Sequence, residues 1–263
     1  MPLNLASTEH HQLPGSPLTL VVCQIRFEAT PAAADSRTIL ALHESLGGKE
    51  GRYPVLDRAQ AAPLLPPRSP EMPVVIPPIS VGWRYKSQDG SWIVSVFPDS
   101  ASLETTTGYT SWDDDFRARF TELVEALTNH LSPAMVHRVG LRYIDQISRP
   151  PVEEPSGWTP YLSREVLGPL LHPAFGEAIM GAQQQLDLDI GEGVRCGYRH
   201  GFFRDEANDG RWTYILDTDV FKDETRKYEA EQIVGEADRF HEVALGLFRA
   251  TVTDELMTFF EEA

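Results

Sequence analysis

Two cysteines in 263 residues are too few for a disulfide framework, and no apolar run is long enough to cross a membrane. Cys23 and Cys196 lie far apart in strand-like stretches, so we expect two buried free thiols. A membrane helix needs about 18 consecutive apolar residues, and the N-terminal stretch lacks the basic-then-apolar pattern of a secretory signal. We therefore expect a soluble, cytoplasmic chain without a membrane contact.

Basic residues are also scarce. The chain has 23 Lys and Arg against 39 Asp and Glu, a formal net charge of −16, and no run of Lys and Arg. Such a surface repels a phosphate backbone, so nucleic-acid binding is disfavoured. The acidity favours a protein partner, in particular a basic one, and a second copy of the chain is a further candidate.

Sequence motifs that identify a known catalytic or metal-binding site are missing as well. There is no G-x-S-x-G elbow and no His-x-x-x-His spacing. Gly191-x-Gly193 leads from one strand into another, whereas a phosphate-binding loop leads into a helix. The sequence therefore predicts no catalytic residue, no metal and no cofactor.

What the sequence does contain is an internal similarity. The segment Asp89–Asp99 resembles Asp209–Asp219 at an offset of 120 residues, and Ile25–Phe27 resembles Leu141–Tyr143 at an offset of 116. Each longer segment reads as an Asp-Gly turn followed by a strand. The similarity predicts a chain that arose by duplication.

A long amphipathic helix should end each half. In the first half one helical face carries Trp112, Phe116, Phe120, Leu123, Leu127 and Leu131. Acids follow Trp112 directly, where the helix dipole favours them. In the second half the corresponding helix is expected from about Glu236 to Phe260.

These elements predict an α+β fold, in which each half wraps an antiparallel sheet around its C-terminal helix. The order resembles the duplicated sheet of the TATA-binding-protein fold and the helix-grip folds, a likeness of fold alone. We expect a loose tail over residues 1–16, a first repeat over 17–135 and a second over 136–263, joined in one compact unit. Residues 61–78 hold seven prolines and predict an extended arm.

Three stretches carry a resemblance to a known family: Val139–Asp145, Tyr109–Trp112, and an ending with His241, Phe248 and Thr253–Glu255. Together they are similar to a sporadically distributed, uncharacterised bacterial family, over nearly the whole chain. Members of that family often have Asn where the first stretch ends in Asp. The resemblance implies no activity, cofactor or catalytic residue, and the patchy distribution suggests mobile or defence-linked genes.

Strand alternation nominates a set of polar residues on the sheet face that points away from the helices. This candidate set contains Arg26, Arg142, Arg195, Arg199, Asp187, Asp189, Asp217 and Asp219. One interpretation is a divalent-cation and phosphate site. The other is a solvated sheet face with cross-strand ion pairs, in which arginines separate the acids.

Three functions remain open at this point. The favoured hypothesis is a non-enzymatic adaptor that docks onto another protein through its acidic surface or its sheet face. The second is a small-ligand pocket between the sheet and the helices. The third is a metal-dependent phosphoryl hydrolase that uses the aspartates of the second half.

Overall fold

The computed structural model describes residues 13–61, 80–206 and 209–262. Nine strands of these residues form one antiparallel sheet. In chain order they are β1 (Leu18–Phe27), β2 (Val55–Ala61), β3 (Ser80–Lys86), β4 (Trp92–Phe97), β5 (Ser100–Thr105), β6 (Met135–Ile147), β7 (Ala182–Gly191), β8 (Val194–Asp205) and β9 (Arg211–Lys227). The order across the sheet is β2-β3-β4-β5-β1-β6-β9-β8-β7, so β1 and β6 are neighbours at its centre.

Five α-helices accompany the sheet, which confirms the α+β class. They are α1 (Ser36–Ser45), α2 (Arg117–His130), α3 (Arg164–Leu167), α4 (Ala230–Thr251) and α5 (Asp254–Glu262). A π-helical turn, Trp112–Phe116, precedes α2. None of these described helices has the length and apolar character that a membrane crossing requires.

The helices pack on one face of the sheet. Tyr143 of β6 contacts His241 of α4, and Tyr85 of β3 donates a hydrogen bond to the Ile39 carbonyl of α1. On the opposite face Arg26 is exposed. We call the first the helix-covered face and the second, which carries Arg26, the open face.

The first long helix begins as the sequence predicts. The Ser111 hydroxyl accepts a hydrogen bond from the Asp114 N–H at 3.0 Å, and the acids after Trp112 occupy the first turn. Phe116 and Phe120 are fully buried on the predicted face. This helix is therefore fixed by a cap at its start and by an apolar stripe along its length.

The terminal helix differs from the prediction because it is broken into α4 and α5. At the break the Thr253 N–H donates to the Tyr161 carbonyl at 3.0 Å, and the Ser163 N–H donates to the Thr251 carbonyl at 2.8 Å. The β-branched run at residues 251–253 favours an extended bridge over a helix. Thr253 then caps α5 by accepting from the Leu256 N–H at 3.4 Å.

The sequence also predicts a strand over 211–217 and a helical stretch over 166–180. The strand is confirmed and continues to Lys227, because β6 pairs with it from Tyr214 onward. The helical prediction is wrong, since prolines at 169 and 173 reduce the stretch to short turns.

The sheet does not place the two Asp-Gly segments in corresponding positions. The first leads into β4, which β5 separates from β1, whereas the second leads into β9, which borders β6 directly. That match therefore does not support a duplication. The second match differs, because Ile25–Phe27 and Leu141–Tyr143 lie in the neighbouring central strands β1 and β6.

The predicted tail and arm lie largely outside the described residues, which omit 1–12 and 62–79. Residues 13–16 are described and differ from a loose tail. The Gly15 N–H donates to the Phe260 carbonyl at 2.8 Å, and Leu13 packs against the core. The start of the described chain is thereby held beside α5.

Candidate functional site

The candidate arginines and aspartates do share the open face. Residues that lie directly opposite each other in antiparallel strands point to the same side. Arg26 lies opposite Arg138, and Arg138 lies opposite Asp223 of β9. Arg142 shares the face of Arg138, because it follows Arg138 by four residues along β6. The prediction that Arg26 and Arg142 share a face is confirmed. The same register places Arg195 and Arg199 on this face.

Arginines separate the aspartates of β9, as the second interpretation predicted. Arg142 donates two hydrogen bonds to Asp217, at 2.7 and 2.8 Å, and Arg199 donates a third at 3.2 Å. These bonds raise the pKa of Arg142. Asp219 accepts from Arg138 at 3.3 Å, although its burial still raises its pKa. Both oxygens of Asp217 are therefore occupied.

Two members of this set of ion pairs, Arg138 and Asp223, are absent from the candidate set. Arg138 also donates to Asp223 at 3.1 Å, and Arg195 donates to the same carboxylate at 3.0 Å. Both follow from alternation, because Asp223 continues the odd-numbered series of β9 beyond the end predicted for that strand. Arg26 forms no ion pair with any described residue.

The remaining candidate acids do not join a metal site. Asp187 and Asp189 are exposed on the edge strand β7, and Asp189 accepts a turn hydrogen bond from the Gly191 N–H at 2.9 Å. No three His, Cys, Asp or Glu side chains among the described residues converge as metal ligands would. The open face is thus a network of cross-strand ion pairs.

The helix-covered face contains a different kind of site, a cavity of about 550 Å³ between the sheet and the helices. It is lined by β6, β9, α4, the turn before α2 and the start of β1. The lining residues are Leu13, Pro14, Ser16, Pro17, Leu18, Tyr109, Thr110, Ser111, Trp112, Asp113, Asp114, Tyr143, Asp145, Thr218, His241, Ala244, Leu245 and Phe248. We call this the central cavity.

A carboxylate lies where the strand pattern calls for an apolar residue. In β6 the alternate positions Val139, Leu141 and Tyr143 are buried under the helices, and Asp145 continues that series. This residue is only 8% exposed, and it lines the central cavity. It accepts no hydrogen bond from any described residue, and burial raises its pKa to about 7.

An orphan carboxylate in such a place is costly. Buried polar groups are nearly always hydrogen-bonded, and a buried charge without a partner destabilises the native state. The hydroxyl of Thr218 is a second polar group of the lining, and it too has no hydrogen-bond partner among the described residues. These two groups leave the cavity with unused hydrogen-bonding capacity.

Aromatic rings form one wall of the central cavity. The indole of Trp112 stacks on the ring of His241, with centroids 4.9 Å apart and an interplanar angle of 7°. Its N–H donates to Asp238 at 2.9 Å, and Arg117 holds that carboxylate through two bonds of 2.7 and 3.0 Å. The Trp112 ring is thereby fixed before any ligand arrives.

A chain of hydrogen bonds continues from this wall. The hydroxyl of Tyr143 and Nδ1 of His241 share a hydrogen bond of 2.9 Å, and the phenol of Tyr109 interacts with that of Tyr143. Burial raises the pKa of Tyr109 to about 12 and raises that of Tyr143 well above its ordinary value. The phenols therefore stay neutral and act as hydrogen-bonding groups.

Comparison of the chain with family models, curated proteins and solved structures gave no match. The family resemblance drawn from the sequence therefore stays a prediction. The stretches that carry it nevertheless meet in space, because Tyr109–Trp112, Tyr143, Asp145, His241 and Phe248 all line the central cavity.

Proposed function

We propose that this protein binds a small organic molecule in the central cavity. The observation that carries the proposal is the carboxylate of Asp145, which is buried, lines the cavity and has no hydrogen-bond partner among the described residues. A ligand that donates a hydrogen bond to it removes a cost that the unliganded fold bears.

The dimensions and walls of the cavity support this proposal. Small-molecule sites enclose roughly 300–1,000 Å³ and combine apolar or aromatic walls with a few fixed polar groups. The central cavity has about 550 Å³, an aromatic wall and the polar groups of Asp145 and Thr218. Because Trp112 is already held by Asp238, its side chain has little conformational freedom left to lose on binding.

Native mass spectrometry tests the proposal. The purified protein is incubated with a bacterial metabolite extract, freed of unbound compounds and sprayed under native conditions. We expect a retained mass of a few hundred daltons in the parent protein, in keeping with a cavity of this size. Absence of any retained mass would contradict the proposal.

Two variants make this test specific. Leu245 is half-buried on α4 and lines the cavity, so Leu245→Trp fills it and should abolish the retained mass. Leu40 is 51% exposed on α1 and does not line the cavity, so Leu40→Trp is the matched control and should retain the ligand. Equal retention by both variants would place the ligand elsewhere.

The adaptor hypothesis stays a prediction, supported by the net charge of −16. The open face carries a concavity of about 680 Å³ that is lined by Arg142, Arg199 and the 38% exposed Phe203. Asp217 beside it is already paired with both arginines, whereas Asp187 and Asp189 on β7 are exposed. Affinity capture with the parent protein and an Arg199→Glu variant separates this function from ligand binding.

The duplication remains a proposal about origin. Its support is that the similar segments Ile25–Phe27 and Leu141–Tyr143 lie in β1 and β6, which are antiparallel neighbours at the centre of the sheet. The proposed likeness to the duplicated saddle-shaped folds rests on the same pair of strands, and it concerns the scaffold and not the ligand.

A further inference from the structure

We infer that the ligand of the central cavity is an organic cation built on a flat ring, with its charged nitrogen placed at Asp145. This inference rests on the proposed function, and it adds the chemical class of the ligand. Three independent features of the cavity lead to it: the charges of the lining, the kind of ring that forms its wall, and the energetic state of Asp145.

The charged groups of the lining are all acidic. Asp145 is buried within it, and Asp113 and Asp114 line its exposed rim. No Lys or Arg is found among the described residues that line the cavity. An anionic ligand would meet like charges in this cavity, whereas a cation would be attracted.

The aromatic wall suits the same class. Tyr109 and Tyr143 meet edge to face with centroids 6.1 Å apart, and Trp112 stacks on both His241 and Phe116, with centroids 4.9 and 5.4 Å apart. Aromatic side chains attract cations and pack against flat ligands, and aromatic cages are a recurrent means of binding ammonium groups.

The titratable groups near Asp145 also favour a cationic ligand. They are Tyr143 on β6, Tyr198 on β8 and Tyr109 before α2, and His241 of α4 is hydrogen-bonded to Tyr143. A phenol is neutral or anionic, so none of these three supplies a positive charge, and their raised pKa values keep them neutral. A ligand cation would favour the ionised carboxylate, and binding at a pH near the pKa of Asp145 would release a proton.

Matched probes that differ only in charge test the inference. Tryptamine is a cation, tryptophol is its neutral alcohol and indole-3-acetate is its anion, and phenethylamine, 2-phenylethanol and phenylacetate repeat the series on a smaller ring. Binding is measured by isothermal titration calorimetry at pH 8 with the parent protein, Asp145→Asn and Leu245→Trp. Circular dichroism confirms that both variants are folded.

We expect the cation of at least one series to bind about tenfold or more tightly than its alcohol, a difference typical of a charge-assisted bond. Asp145→Asn should remove that preference and leave the affinity for the alcohol within about threefold. Leu245→Trp should abolish binding of every probe.

The failures are distinguishable. If an alcohol or an anion binds as tightly as the cation and Leu245→Trp abolishes that binding, the inference about charge is overturned and the proposed function stands. If none of the six probes binds although a mass is retained in the native spectrum, the ligand class is wrong. If the native spectrum also shows no retained mass, both are overturned.

Discussion

Replacing Asp145 by Asn should stabilise the unliganded protein at alkaline pH and change its stability little in acid. Burial raises the pKa of this carboxyl from 3.8 to about 7 in the native state, whereas in the unfolded chain it ionises at its ordinary value. As the pH rises from about 4 to 7, ionisation therefore favours the unfolded chain, and native stability is lost. Above pH 7 both states are ionised and the loss is complete.

The size of this stabilisation follows from the rise in the pKa of Asp145. A rise of about three pKa units corresponds to about 4 kcal/mol, an upper bound because some relaxation accompanies ionisation. Asn does not ionise, so Asp145→Asn avoids this loss. The difference in unfolding free energy between variant and parent should be near zero at about pH 4 and should approach a few kcal/mol at pH 8.

Urea unfolding followed by tryptophan fluorescence, repeated between pH 4 and 8.5, measures this difference. The matched control is Asp187→Asn, an exposed aspartate on β7 that should give a flat profile. A flat profile for Asp145→Asn as well, or a variant that is less stable than the parent at pH 8, would refute the reasoning. Either result would mean that the carboxylate is solvated or has a partner.

Four further predictions concern the scaffold and the open face. Truncating either buried tryptophan, Trp112→Ala or Trp212→Ala, should cost about 3–5 kcal/mol in chemical denaturation, and a variant that unfolds like the parent would contradict its burial. Asp217→Asn weakens the bonds from two arginines and should cost about 1–3 kcal/mol. Millimolar magnesium should not move the melting temperature of the parent, whereas a true metal site would add about 2.7 kcal/mol at a hundredfold excess over its dissociation constant. Cys23 and Cys196 are buried with raised pKa values, so neither should react with a thiol reagent until the protein unfolds, and rapid labelling of the native protein would count against that packing.

The parts of the fold that could be predicted are those fixed by local periodicity. The apolar stripe through Phe116 and Phe120 gave the first long helix, and the alternation in β1 and β6 sorted the two faces of the sheet. The order of the strands could not be predicted in this way. The two Asp-Gly turns have the same local chemistry, yet the first leads into β4, which β5 separates from the central pair, and the second leads into β9, which borders the central pair directly. The position of a strand in the sheet depends on distant partners and not on its own turn.

A pocket between the sheet and the helices was one hypothesis from the sequence, but Asp145 was not nominated for it although a signal was present. The buried series Val139, Leu141 and Tyr143 requires that Asp145 point to the same side, since alternate residues of a strand share a face. A carboxylate at such a position is a stronger indication of function than charged pairs on a solvated face, because it has to be stabilised by something. The rings that surround it could not be assigned to one site, since Tyr109, Trp112 and His241 come together only through tertiary packing.

The most direct test of the central claim is a crystal structure of the protein after incubation with a bacterial metabolite extract. We expect difference density in the central cavity, between Trp112 and Asp145, with a donor atom of the ligand about 3 Å from the carboxylate. An empty cavity, or density confined to the open face beside Arg142 and Arg199, would contradict the account.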